Sequence, residues 1–279
     1  MAFGIELRNS DTNLVLDEDN PVVVVTEKGT RNNNTVSSIT SVNDDSGGWY
    51  KIDSEDTWFS TIVLSSSYST PPILAIRNGG GGYGGALPKA TVYKHNSTDY
   101  NRIRMYSPSP TKVEWIICAS SSTVTPTVDS TQDYGIEIKD SSNNKVFDSR
   151  WVDIVSLVDI VSMPDISLTI SGAGTQSLST SPASSDVTVA NSPGSFYAVS
   201  GLSGVKSVSE YEMVEPGFSF IYGGGNFIPT VAPVNDTTLK MTAIRASRGP
   251  VNGNASSGIL QDANAEYGGQ VLILRYLNF

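Results

Sequence analysis

The chain has 279 residues, 38% of them hydrophobic and only 16% charged, with a formal net charge of −10. That is enough apolar material for one large core or two modest ones. It also argues against nucleic acid and anionic membrane surfaces as partners, because phosphate neutralisation needs a basic face. The densest basic pairs, Arg102 with Arg104 and Arg245 with Arg248, read as solvated strand faces.

The first element spans residues 3–17, FGIELRNSDTNLVLD. Phe3, Ile5 and Leu7 alternate with Gly4, Glu6 and Arg8, the period of a strand with one buried face. Residues 9–13 are turn chemistry, and Leu14 to Leu16 begin a return strand, so the segment predicts a β-hairpin. Asp17-Glu18-Asp19-Asn20 follows and lacks the spacing of a calcium loop. Pro21 to Val25 is the next strand. Acidic turns hold Asp44 and Asp45, then Asp53, Glu55 and Asp56.

A strand at Ile73 to Ile76 leads into Asn78-Gly79-Gly80-Gly81-Gly82-Tyr83-Gly84-Gly85. No Lys-Ser/Thr and no helix follows, so this is not a phosphate cradle. It suits a loop packed on a neighbour or a mobile tip, with Tyr83 as a contact residue. His95, the only histidine, sits at a strand end and is expected in a solvent-exposed turn. One histidine and one cysteine cannot build a structural zinc site. Cys118 lies in the apolar run Val113 to Ala119 and is expected to be buried. Residues 121–133, polar with one proline, read as a linker.

Residues 134–148, YGIEIKDSSNNKVFD, repeat residues 3–17 at an ungapped offset of 131, with identities that include Gly4/Gly135, Ile5/Ile136, Glu6/Glu137 and Asp17/Asp148. The period marks an internal duplication. After this second hairpin come a strand within Trp151 to Val161, acidic positions Glu210, Glu212 and Glu215, and a strand at Phe218 to Tyr222. A second Gly-rich loop is read at Gly223, Gly224 and Gly225. The apolar run Val271 to Leu274 closes the chain. Short apolar runs between Gly, Pro, Asn and Ser clusters predict an all-β protein. The expected architecture is two tandem, duplicated β-sandwich domains: 1–120, a linker 121–133, and 134–279.

The motif aromatic-Gly-hydrophobic-x-hydrophobic, then a polar turn, then hydrophobic-Asp-Ser is carried best by Tyr134 to Ile138 and Val146 to Ser149. It resembles small β-sandwich modules of tailed-phage tail proteins. The first copy departs from it at Glu18, where the pattern has Ser. The resemblance implies a structural virion role at a tail tip, fibre or adaptor, without enzymatic activity, catalytic residues, metal or cofactor. Its expected partners are other tail proteins, further copies of itself as a trimer or hexamer, and a host surface glycan or protein. Neither a basic leader nor a membrane-length apolar run is read, so synthesis in the host cytoplasm and a final place in the virion tail are expected. The interface residues expected from the Gly-rich loops and their aromatics are Gly79, Gly80, Gly81, Gly82 and Tyr83, with Tyr222, Gly223, Gly224, Gly225 and Phe227. The competing classes are a glycan-binding adhesin and a carboxylate-based glycan hydrolase.

Overall fold

A computed structural model describes residues 4–8, 13–17, 22–39, 43–51, 57–140, 142–164, 168–171, 179–182, 184–200, 206–214, 219–248 and 269–276. These residues are all-β. The first half holds β1 (Gly4–Arg8), β2 (Asn13–Asp17), β3 (Val23–Arg31), β4 (Tyr50–Lys51), β5 (Trp58–Tyr68), β6 (Ile73–Asn78), β7 (Lys89–Lys94), β8 (Tyr100–Ser107) and β9 (Val113–Ser120). The second holds β10 (Glu137–Lys139), β11 (Lys145–Asp148), β12 (Ser156–Met163), β13 (Leu168–Ser171), β14 (Ser179–Pro182) and β15 (Ser185–Thr188). It continues with β16 (Phe196–Ser200), β17 (Lys206–Val214), β18 (Ser219–Asn235), β19 (Thr238–Arg248) and β20 (Gly269–Arg275).

Three sheets make the body. A six-stranded sheet runs β12-β20-β16-β6-β9-β3, and two four-stranded sheets run β4-β5-β8-β7 and β15-β19-β18-β17. The six-stranded sheet takes three strands from either side of residues 121–133. From the seam between β6 and β16 the order outward is β6, β9, β3 in one direction and β16, β20, β12 in the other. The four-stranded sheets also share an order, β5, β8, β7 in one and β15, β19, β18 in the other, with β4 and β17 added at opposite edges.

One face of the six-stranded sheet packs on both four-stranded sheets. Val113, Trp115 and Ile117 of β9 meet Ile62 of β5 and Ile103 and Met105 of β8, while Val271 and Ile273 of β20 meet Leu239 and Met241 of β19. These side chains form one continuous core. Trp49 is fully enclosed in it, its indole N–H donating to Thr111 O at 2.9 Å. Gly29 stands opposite Trp115, and a Cβ there would lie 2.6 Å from the indole, so glycine is what lets the ring lie across the strand.

The other face is apolar as well. Val25, Ala75, Ile116, Cys118, Phe196 and Leu274 form a second buried cluster. This explains the uninterrupted apolar run of β9, which is buried on both sides and so does not alternate. A closure at the sheet edges encloses this second face. Read straight across, Gly29, Trp115, Ile76, Tyr197, Ile273 and Asp159 stand in one row. The closing contact lies earlier on the chain at both edges. Val24 bridges Ile154, Val25 N–H donates to Asp153 O at 2.7 Å, and Val155 N–H donates to Val23 O at 2.9 Å. That displacement is the stagger needed to close a sheet into a barrel. A side-chain chain reinforces it: Lys28 Nζ donates to Tyr276 OH at 2.9 Å, and Tyr276 OH donates to Asp153 Oδ1 at 2.8 Å. Burial, followed by the bond to Asp153, pushes the Tyr276 hydroxyl above its ordinary value.

Both repeat segments form antiparallel hairpins, but in different registers. Gly4 pairs Asp17 in the first, whereas Glu137, not Gly135, pairs Asp148 in the second. The second turn is an Asx turn. The Asp140 carboxylate accepts from Ser142 N at 2.9 Å and Asn144 N at 2.7 Å, and Asn143 takes φ of 67°. In the first copy Thr12 stands at the Asn143 position, and a β-branched residue resists positive φ. Residues 121–133 are tied down by backbone bonds: Ser121 N–H to Val22 O and Asp129 N–H to Arg150 O, at 2.9 and 2.8 Å.

Phe196 fills the barrel interior beside the seam and is fully buried. Phe196→Ala is expected to lower unfolding free energy by about 3–5 kcal/mol. Urea denaturation monitored by tryptophan fluorescence measures it.

Candidate functional site

The Gly-rich run Gly79–Gly85 lies across the seam. Gly194 N–H donates to Gly81 O at 2.8 Å, Gly84 N–H to Pro233 O at 2.9 Å, and Leu87 N–H to Val231 O at 2.8 Å. Tyr83, half-buried, donates its hydroxyl to Asp236. Burial and then that carboxylate push the Tyr83 hydroxyl upward. Gly80, Gly81, Gly84 and Gly85 all have positive φ, between 65° and 120°, which accounts for a glycine run here. A Cβ on Gly81 would also meet Gly194 Cα at 3.2 Å. Of the residues expected to contact other molecules, Gly79, Gly80, Gly81 and Tyr83 make hydrogen bonds inside their own chain, and Gly82 is exposed.

Under this loop sits a half-hidden ion pair. Arg77 Nε lies 2.5 Å from Glu114 Oε2, with side-chain exposures of 13% and 9%. Arg77 Nη1 also donates to Gly194 O at 2.7 Å, and its guanidinium lies 4.4 Å from the Phe196 ring centroid. The second carboxylate oxygen of Glu114 accepts from Gly80 N–H at 3.0 Å. One arginine thus connects β6, β9, the start of β16 and, through Glu114, the Gly-rich loop. Neither residue was singled out from the sequence, where 37 positions separate them. The only signal was a charge interrupting an otherwise apolar strand at Glu114.

The second set of expected contacts is placed differently. Gly223, Gly224 and Gly225 are not in a loop; they lie inside β18, opposite Glu210, Ser209 and Val208 of β17. Tyr222 pairs Tyr211 and Phe227 pairs Lys206 in the same ladder. Glycine weakens a strand, but a paired ladder tolerates it where neighbouring backbone supplies the bonds.

His95 is half-buried in the β7–β8 turn, which Asn101 closes by exchanging two bonds with the His95 backbone, each 3.1 Å. Asp45 is bound to Arg31 at 2.8 Å and Asp44 is exposed. Glu210 and Glu212 lie on β17. Asp53, Glu55, Asp56, Glu215 and the segment Glu18 to Asn20 fall outside the described residues. Cys118 is buried in the barrel interior, and burial pushes its thiol up to about 12. A groove of about 770 Å³ opens near the barrel closure, between residues 66–73 and 123–127, with Lys28 and Asp153 on its wall.

The two hairpins stand outside the sheets, and β2 touches β11. Ile138 and Phe147 pack with Val22 beneath the second one. Asp148 has no exposed side-chain surface and pairs with Arg150 and Lys145, each at 2.7 Å. The hydrogen bond from Arg150 chiefly holds its carboxyl well below the usual carboxylate range. Tyr134 and Ile136, at the entry to β10, are 91% and 58% exposed. No family model, curated protein or solved structure matches the chain.

Glu114→Ala would leave Arg77 charged inside the seam. The expected loss is about 3–5 kcal/mol, measured by urea unfolding. Asp148 supplies stability that is present above the ordinary carboxylate pKa and lost as pH falls through its depressed folded value. Acid titration of the unfolding midpoint should therefore be less steep in Asp148→Asn than in the parent chain.

Proposed function

We propose that this chain is a non-enzymatic structural protein of a bacteriophage tail, at the tip, a fibre or an adaptor, working through protein–protein contacts. The observation that carries this reading is the pair of adjacent hairpins. Both segments bearing the tail-module motif fold as antiparallel hairpins outside the sheets, with β2 against β11. The second of them presents Tyr134 and Ile136 to solvent. A large exposed aromatic beside an exposed isoleucine, on a segment pinned by Asp148, is a ready protein contact. The body beneath suits a part under mechanical load, since its two halves share a sheet and a core and are clasped across the seam. The partners are other tail proteins and further copies of the chain, and the place is the virion tail. A duplicated hairpin-plus-sandwich unit accounts for the matching strand orders.

Detection of the chain in purified virions by mass spectrometry, with its density located by electron microscopy, is the direct test; absence from virions overturns the proposal. The contact surface is tested separately. Tyr134→Ser with Ile136→Ser should leave the melting temperature unchanged, because both side chains are exposed, and should abolish incorporation into virions. Normal incorporation of the double variant would move the assembly surface elsewhere.

A further inference from the structure

The groove beside the barrel closure is separate from the proposed assembly surface: neither Tyr134 nor Ile136 lines it. Its volume of about 770 Å³ falls within the range of small-ligand sites, and every residue lining it is among those described. One wall is the end of β5 with its connection to β6, residues 66–73, and the other is residues 123–127. Residues 24–28 of β3, residues 118–120 of β9 and Asp153 complete the lining.

The walls are held from within. Thr26 Oγ1 lies 2.7 Å from Tyr68 OH and donates to Ile117 O at 3.2 Å. Thr123 donates to Ser120 O through its N–H and its hydroxyl, each at 2.9 Å, and Val152 N–H donates to Thr127 O at 3.2 Å. Pro71, Pro72 and Pro126 fix φ in both walls. A ligand entering such a groove has little chain left to order.

The three charged groups of the lining are already matched inside the chain. Glu27 accepts from Ser65 N–H at 2.9 Å and Ser66 N–H at 3.3 Å. Lys28 donates to Tyr276 OH, which donates to Asp153. The hydroxyls are in a different state. Ten of the twenty-two lining residues carry one. Ser67, Ser69, Thr70 and Thr125 are exposed, and their hydroxyls form no bond among the described residues.

We propose that this groove binds a neutral oligosaccharide. The hydroxyls of Ser67, Ser69, Thr70 and Thr125 exchange bonds with sugar hydroxyls, each group serving as donor and as acceptor. Pro71, Pro72, Pro126 and Tyr68 supply apolar surface for the C–H faces of the pyranose rings. An acidic or basic ligand would have to disrupt a matched charge to gain an ion pair. A peptide strand added along β3 fits less well, because Val23 O and Val25 N–H are already used in the barrel closure.

Calorimetric titration of the full chain with maltotriose, mannotriose, galactotriose and chitotriose tests this, beside trigalacturonate and a neutral Ser-Thr-Gly nonapeptide. At least one of the four neutral sugars should bind, with the same affinity at low and high salt, because no ion pair forms. Ser69→Ala with Thr125→Ala should weaken binding about ten-fold, the loss of two neutral hydrogen bonds. Thr125→Trp puts bulk into the groove without removing an internal bond and should block binding. Thr91→Trp, at an exposed position of β7 outside the groove, should leave binding unchanged. The alanine pair keeps the test decisive if Thr125→Trp fails to fold. Binding of none of the four neutral sugars, tighter binding of trigalacturonate, or binding that the groove variants leave unchanged overturns the proposal. Tighter binding of the nonapeptide overturns it in favour of an extended peptide partner. The measurement uses the isolated chain, so its outcome is independent of whether the chain is found in virions.

Discussion

Everything in this molecule rests on the edges of one sheet. An open six-stranded sheet would leave two rows of unpaired backbone groups and an apolar second face. The bridge between Val24 and Ile154 removes part of both problems, because it brings β3 and the approach to β12 together and turns the second face inward. Small and large side chains then share the interior: Ala75 and Ala198 leave room for Phe196, while Ile116, Cys118 and Leu274 fill the rest. The two four-stranded sheets can cover only the outside of this arrangement, so their positions follow from it.

The seam between the halves is a different kind of junction. Its ladder pairing is a single register pair, Tyr197 with Ile76, against six pairs between β6 and β9. Side chains and a loop supply what the ladder does not. Arg77 reaches over Phe196 to Gly194, Glu114 holds Arg77 and Gly80, and Tyr83 extends to Asp236. A short backbone junction is thereby made specific by polar groups that have few alternative partners once buried.

Much of the fold was legible in the chain because strand periodicity is a local signal. The hairpins, the strands around Ile73 and Val113, and the all-β class follow from alternation and turn residues. The closure was not legible, because it depends on isolated contacts at Val24 and Ile154 that leave no periodic trace. The register difference between the hairpins is concealed by their overall similarity in sequence. The Gly79–Gly85 run was recognised as special, but its partners, Gly194, Pro233 and Asp236, lie more than a hundred residues away. For the same reason Gly223 to Gly225 looked like a loop when they are part of a long strand. Arg102 and Arg104 are half-buried rather than a freely solvated face, because Asn43, about sixty residues away, accepts from both of them.

The closed sheet also orders events in time. As the chain leaves the ribosome, β3, β6 and β9 can pair as soon as residue 120 is out, but β6 lacks its neighbour until Phe196 to Ser200 arrive. The free edge of β3 likewise waits for Ile154. During that interval the nascent first half holds Ala75, Ile116 and Cys118 on an uncovered face with two open edges, the kind of surface on which incomplete chains aggregate. Pairings this distant in sequence form slowly. The half made first therefore cannot complete its fold alone.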